Sequence, residues 1–266
     1  MTRVVARADE LKALGAQPIR GDLRDADSLE FALRGVRVVV AAAHSMVGRG
    51  DESSEAVDDI GHRTLIDVAK QAGVEHIIYT SISGATTDHP IDFWRTKARI
   101  EEHVRQSGIG FTIVRPTALM DLHAYELTGK PVLEGKRVVL FGRGENPRNY
   151  VAAEDVAKVI AGALKIPSLR GQTIDVGGPE NLTALQVIAL FERISGHRAK
   201  VRHIPLTVMR VAARAMQPVH EGMSRLIRSG IMGETTDQTF DASVTRSRVP
   251  VSLTRLEDWA LNRITA

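Results

Sequence analysis

The sequence predicts an α/β fold, a parallel sheet with helices on both faces, followed by a small, mostly helical C-terminal region. Three observations carry this. Strand-like runs recur at residues 36–43, which is nearly all apolar, and at 75–80 and 111–115. A helix-length segment of mixed apolar and polar residues lies between each pair of runs. A glycine (Gly35, Gly73, Gly108) stands where each helix must stop. Connections of that length suit parallel crossovers and are far longer than hairpin turns.

Taken in order, residues 1–3 read as the tail of a strand, 6–14 as a helix and 17–20 as a short strand before Gly21-Asp22-Leu23. Asp25 caps a helix running to about residue 34. The strand at 36–43 has one polar interruption, Arg37, and reads as covered on both faces. Residues 44–54 form a loop, 55–72 one long helix and 75–80 the next strand. A loop at 81–92 leads to a helix at 93–107, then a strand at 111–115 ended by Pro116. Beyond it come strands at 138–141 and 172–176, with a helix at 153–165 between them. Thr183 caps a helix to about residue 195, and 201–204 reads as a strand. A helix at 206–229 breaks at Pro218, and a last helix at 254–264 is capped by Ser252 or Thr254. The expected division is a sheet domain over 1–180 and a substrate or lid region over 181–266.

Composition narrows the function. Hydrophobic residues are 43%, charged residues 25% and aromatics 4%, so Val, Ile, Leu and Ala must build the core. There is no cysteine, which excludes disulfides, thiolate metal sites and Cys nucleophiles and fits a cytoplasmic protein. The net charge of +3 is small and the basic residues are scattered, with no nucleic-acid-binding signature. No apolar run reaches the ~18 residues of a membrane span. A monomer or homodimer is expected.

In an open parallel sheet, ligands sit beyond the carboxyl ends of the strands. That rule selects Arg3, Asp22, Leu23, Ala42, Ala43, His44, Thr80, Ser81, Pro116 and Thr117. The small residues at 41–43 and 81 let a flat cofactor approach the backbone. Phe93 and Lys97 share a helix face with Ile100 and Val104, which places a lysine on an otherwise apolar stripe.

The ordered set Gly21-Asp22-Leu23, Val39 to Ala43, Ala72-Gly73-Val74, Tyr79-Thr80-Ser81, Arg115-Pro116-Thr117 and Tyr150-Val151 with Glu154-Asp155-Val156 resembles the atypical short-chain dehydrogenase/reductases. The NmrA-like branch is the nearest. The resemblance spans about residues 3 to 180. It implies a Rossmann-type sheet and NAD(P) binding. A family turn of G-x-x-G-x-x-G type after a first strand is missing here. The two Gly-Arg-Gly segments, at 48–50 and 142–144, read as loops. Met1 is therefore expected to be an internal methionine of a reading frame longer by roughly 30–35 residues, and this truncated form is expected to bind cofactor poorly.

The resemblance assigns Arg3 to an NADP 2′-phosphate. If Val4-Val5 continues the strand, Arg7 takes that role. Either choice favours NADP over NAD, with Asp22 near the adenine. The resemblance also places Lys97 at the nicotinamide ribose and Phe93 where relatives carry an acid tyrosine. Ser81 and Ser83 stand where a hydroxyl reaches a substrate carbonyl. The expected function is hydride transfer to a small apolar carbonyl or quinone-like acceptor. The alternative is a non-catalytic NADP-binding redox sensor with a protein partner. His62, His89, Asp121, His123 and Tyr125 are spare acid–base groups, and no metal site is expected. The methionines at 209, 216, 223 and 232, with interspersed arginines, suit an adaptable apolar surface.

Overall fold

The computed structural model describes residues 1–5 and 8–265. Arg7 lies outside the described residues. Two compact units divide the chain: residues 1–81, 85–113 and 170–172 form one, and residues 82–84, 114–169 and 173–266 the other. The division falls within the third strand.

The first unit opens with Thr2 bridged in parallel to Arg20. The expected strands at 1–3 and 17–20 are reduced to this single bridge. Helix α1 is Asp9–Ala13 and α2 is Ala26–Ala32. The Asp25 carboxylate accepts the Ser28 N–H and caps α2 as expected. Strand β1, Val38–Ala41, pairs in parallel with β2, His76–Thr80, setting Val39 opposite Ile77. The expectation that this strand is covered on both faces fails. Val39 and Ala41 enter the core, whereas Val38 and Val40 are 40% and 47% exposed. Alternate side chains point to opposite faces, and only one face of β1 is packed.

The single helix expected over 55–72 is two segments. A π-helical stretch, Glu55–Gly61, runs into α3, His62–Gln71. Gly61 makes the close packing at this change of pitch possible, since a Cβ there would lie 2.9 Å from Leu23 Cβ. Helix α4, Asp92–Gln106, follows β2, and β3 spans Gly110–Pro116. Gly73 and Gly108 end the helices with φ of 76° and 81°. Leu29, Val39, Ile66, Ile77, Ile100 and Ile113 belong to the core beneath.

In the second unit, β4 (Ala118–Leu119), a π-helical segment (Met120–Gly129), α5 (Lys130–Leu133), β5 (Arg137–Phe141) and β6 (Arg148–Val151) come first. Then follow α6 (Ala153–Lys165), β7 (Gln172–Val176), β8 (Glu180–Leu182), α7 (Ala184–Ser195) and β9 (Lys200–Ile204). Helices α8 (Leu206–Met216), α9 (Glu221–Thr235), α10 (Ala242–Arg248) and α11 (Leu256–Thr265) complete it. The break at Pro218 and the Thr183 capping box are present. The last helix starts later than expected, because Thr254 N–H and Oγ1 both bond the Asp155 carboxylate, at 2.6 and 3.1 Å. The core of this unit includes Met120, Val138, Tyr150, Phe191, Leu256 and Trp259. The main sheet has the strand order β1-β2-β3-β7.

Candidate functional site

The site is built where β1, β2, α3 and α4 of the first unit converge. After β1, the Ser45 N–H donates to Asp58 Oδ2 at 3.0 Å, and Ser45 Oγ bonds the Glu52 carbonyl. The loop is thereby tied to the π-helical stretch. Ala42, Ala43 and His44 at the strand end are exposed. His62 opens α3, and its Nδ1 donates to the Val57 carbonyl at 2.9 Å. The π-helical stretch carries Asp58, which is completely buried. Such stretches recur at functional sites because the extra residue re-aims side chains.

Helix α4 presents Phe93, Lys97, Ile100, Glu101 and Val104 inward, so the helical register read from the sequence holds. Lys97 does not reach out to solvent; it is 3% exposed. Its Nζ lies 3.4 Å from the Thr80 carbonyl and 3.7 Å from Asp58 Oδ1. The ammonium also sits 5.1 Å from the Tyr79 ring centre and 5.5 Å from that of Phe93. Cation–π attraction of this kind strengthens where water is excluded. Beside it, Asp58 Oδ1, His62 Nε2 and Tyr79 Oη are buried without a hydrogen-bond partner, as are Thr80 Oγ1 and Ser54 Oγ in the same elements and the preceding loop. Buried polar atoms normally find one, so such a cluster calls for a ligand or internal water.

Electrostatics follow from burial. Desolvation pulls the Lys97 amine below its ordinary value, against the pull of Asp58 and Glu101. His62 falls to about 4, through burial first and the Lys97 charge second. His44, although solvent-exposed as a residue, is lowered in the same direction by the partial burial of its ring and by Lys97. Burial pushes the Tyr79 phenol well up, and Asp58 adds to this. The arrangement is thus one cation among neutral rings and a carboxylate.

Ser81 Oγ donates to Glu101 Oε1 at 2.6 Å, and Arg105 reaches Glu101 Oε2 at 3.1 Å. The single Ser81 hydroxyl proton is therefore committed to Glu101, leaving its lone pairs to accept. Arg3 is ion-paired with Glu52. Asp22 is held by Arg24, whose guanidinium lowers its carboxyl to about 2. Arg24 Nη1 also donates to the Asp51 carbonyl at 2.9 Å. Leu23 belongs to the core, packed beneath Gly61.

Pro116 and Thr117 belong to the second unit. There, Thr117 Oγ1 donates to Asn149 Oδ1 at 2.8 Å, and the Thr117 N–H bonds the Val176 carbonyl at 2.9 Å. His123 Nδ1 donates to the Leu119 carbonyl at 3.3 Å, and burial, then Arg148, lowers it to about 4. Tyr125 packs edge-on against Trp259. His89 stacks on Trp94 at 5.0 Å. In the segment at 142–144, the Gly144 N–H donates to Glu234 Oε2. No group of three potential metal ligands occurs among the described residues.

Sequence reasoning missed Asp58 and Glu101. Glu101 was legible as a charge on the inward face of α4, whereas Asp58 lies on the π-helical stretch that no local signal marks. It also missed Asn149, a buried hub whose position nothing in the local pattern marks.

The fold is a Rossmann-type α/β sheet of the kind used by NAD(P)-binding reductases. The chain belongs to the NmrA-like family, whose pattern matches residues 2–259. It is 30% identical to an NAD(P)H azoreductase of Xenophilus azovorans, over 78% of this chain and 68% of that protein. It is 27% identical to the photosystem II assembly factor Ycf39 of Trieres chinensis, over 98% of this chain and 83% of that protein. It spans 60 to 83% of the length of the curated relatives it matches first. Among solved structures, the NADPH complex of an Escherichia coli NADPH-dependent quinone oxidoreductase superposes with a TM-score of 0.75 at 22% identity. That match covers 99% of this chain and 89% of the other. No helix of the described residues is long and apolar enough to cross a membrane.

Proposed function

We propose that this chain works as an NADP(H)-dependent reductase of a small apolar acceptor, a quinone, azo compound or enone. The observation that carries the reading is the buried Lys97 ammonium at the end of β2, with unpartnered polar atoms beside it. A fixed donor with open neighbours fits the hydroxyls of a nicotinamide ribose. The names of the azoreductase relative and the quinone oxidoreductase neighbour support the same reading.

When bound, the dinucleotide supplies the hydride. Lys97 holds the ribose hydroxyls and, with its amine already pulled down by burial, bears the proton that a reduced acceptor needs. Phe93, which has no exchangeable proton, packs where relatives carry a tyrosine acid and helps keep water out. Arg3 would exchange Glu52 for a 2′-phosphate, and Asp22 would mark the adenosine end. Ala42 and Ala43 offer backbone without side-chain bulk.

The test is NADPH titration of the chain by fluorescence, followed by NADPH oxidation with a panel of quinones and azo dyes. Saturable binding with turnover, both lost in Lys97→Met, is expected. Absence of binding overturns the reading. Binding without turnover selects a second reading, a non-catalytic NADP-binding sensor that acts through a protein partner. Phe93 at the acid position and the assembly-factor relatives favour that second reading.

A further inference from the structure

The carboxylate facing Lys97 has no counterpart in the motifs read from the sequence. Asp58 is completely buried on the π-helical stretch Glu55–Gly61. Its two oxygens are used differently. Oδ2 accepts the Ser45 N–H at 3.0 Å, whereas Oδ1 accepts no hydrogen bond and faces Lys97 Nζ at 3.7 Å.

The other groups near the ammonium cannot balance its charge as directly. From the loop after β1 comes His44, which is solvent-exposed as a residue and lowered by the partial burial of its ring and by Lys97. From α3 comes His62, which burial and Lys97 itself hold neutral. From β2 come the Tyr79 ring and the Thr80 carbonyl, which are uncharged. From α4 come Phe93 and Glu101. The Glu101 oxygens already accept from Ser81 and Arg105. An ammonium with no opposing charge in such a place deprotonates.

We propose that Asp58 is the positioning residue for Lys97: its buried carboxylate fixes the ammonium beneath the end of β2 and keeps it protonated. Its bearing on turnover rests on the functional reading above; the charge assignment rests on geometry alone. The unpartnered His62 Nε2 and Tyr79 Oη flank the pair and leave the ammonium's remaining hydrogens directed at whatever ligand or water enters. The π-helical stretch is then the device that brings an acidic side chain to the end of β2.

The experiment labels the lysine Cε carbons with 13C in the full chain and follows the Lys97 resonance against pH. That resonance is assigned by its loss in Lys97→Arg. In the unaltered chain, Lys97 stays cationic through neutral pH. In Asp58→Asn its midpoint falls by about one unit or more, a tenfold change in acid constant, and in Asp58→Glu it returns toward the original. An unchanged midpoint in Asp58→Asn overturns the proposal. Should Asp58→Asn fail to fold, Asp58→Asn combined with Lys97→Met decides. Regained folding supports the pairing, and continued unfolding overturns it. NADPH affinity is measured separately on the unaltered chain. Failure to bind ends the functional reading and leaves the titration result standing. Binding together with an unmoved midpoint ends this inference alone.

Discussion

Lys97 Nζ and Asp58 Oδ1 face each other across 3.7 Å, and both side chains are withdrawn from water. A buried pair of this kind adds little over an apolar replacement of both partners, but removing one partner leaves an uncompensated charge. Lys97→Met is therefore expected to cost about 3–5 kcal/mol of folding stability, read by urea denaturation. A loss below about 1 kcal/mol, the level of an exposed pair, contradicts the buried pairing.

Acid stability should carry the signature of His62. In the unfolded chain this imidazole binds a proton below about 6.5, but in the folded protein only below about 4. Between those values the unfolded state binds more protons, so stability falls as pH falls. The neutral state's advantage is fully present above pH 6.5 and is lost toward pH 4, by about 3 kcal/mol at 1.4 kcal/mol per unit. His123 contributes in the same window and direction. His62→Gln should flatten the stability profile between these pH values. A profile as steep as that of the unaltered chain would show that His62 is not the titrating group.

Ser81 supplies the proton that Glu101 Oε1 accepts at 2.6 Å. Ser81→Ala removes that short buried hydrogen bond, and a loss of about 1 kcal/mol is expected in denaturant melts. An unchanged melt would mean that Glu101 finds another donor.

Asn149 organises the second unit. Its Oδ1 accepts from Thr117 Oγ1 and the Gly178 N–H, while Nδ2 donates to the Gly178 and Glu180 carbonyls and to Asn181 Oδ1. Asn149→Leu should unfold the chain or cost more than about 3 kcal/mol, since it strands several buried partners at once. Gly178→Ala should be similarly severe, because a Cβ there collides with the Tyr150 carbonyl. Thr117→Val should be far milder. Equal losses for Thr117→Val and Asn149→Leu in thermal melts would refute this ordering.

Much of the first unit was legible because local signals coincide with what packing needs. The Asp25 cap, the stops at Gly73 and Gly108 and the apolar face of α4 each report a local requirement visible in a few residues. The π-helical stretch was not legible, since its residues read as ordinary helix. Its last residue, Gly61, packs closely on Leu23, a residue 38 positions earlier, where no local signal points. Asp58 stayed hidden for the same reason. The apolar run at 38–41 was misread as covered on both faces because valine is equally at home on a packed face and an exposed one. In the second unit, β4, β6 and β8 are too short to declare a period, and Asn149 gains its role only from partners about 30 residues away.

The most direct measurement is the 13C resonance of Lys97 Cε as NADPH is added to the full chain. If the buried ammonium is the donor to the nicotinamide ribose, the resonance moves saturably with NADPH, and Phe93→Leu leaves the movement intact. A Lys97 resonance that stays still at NADPH concentrations that saturate binding would contradict the account.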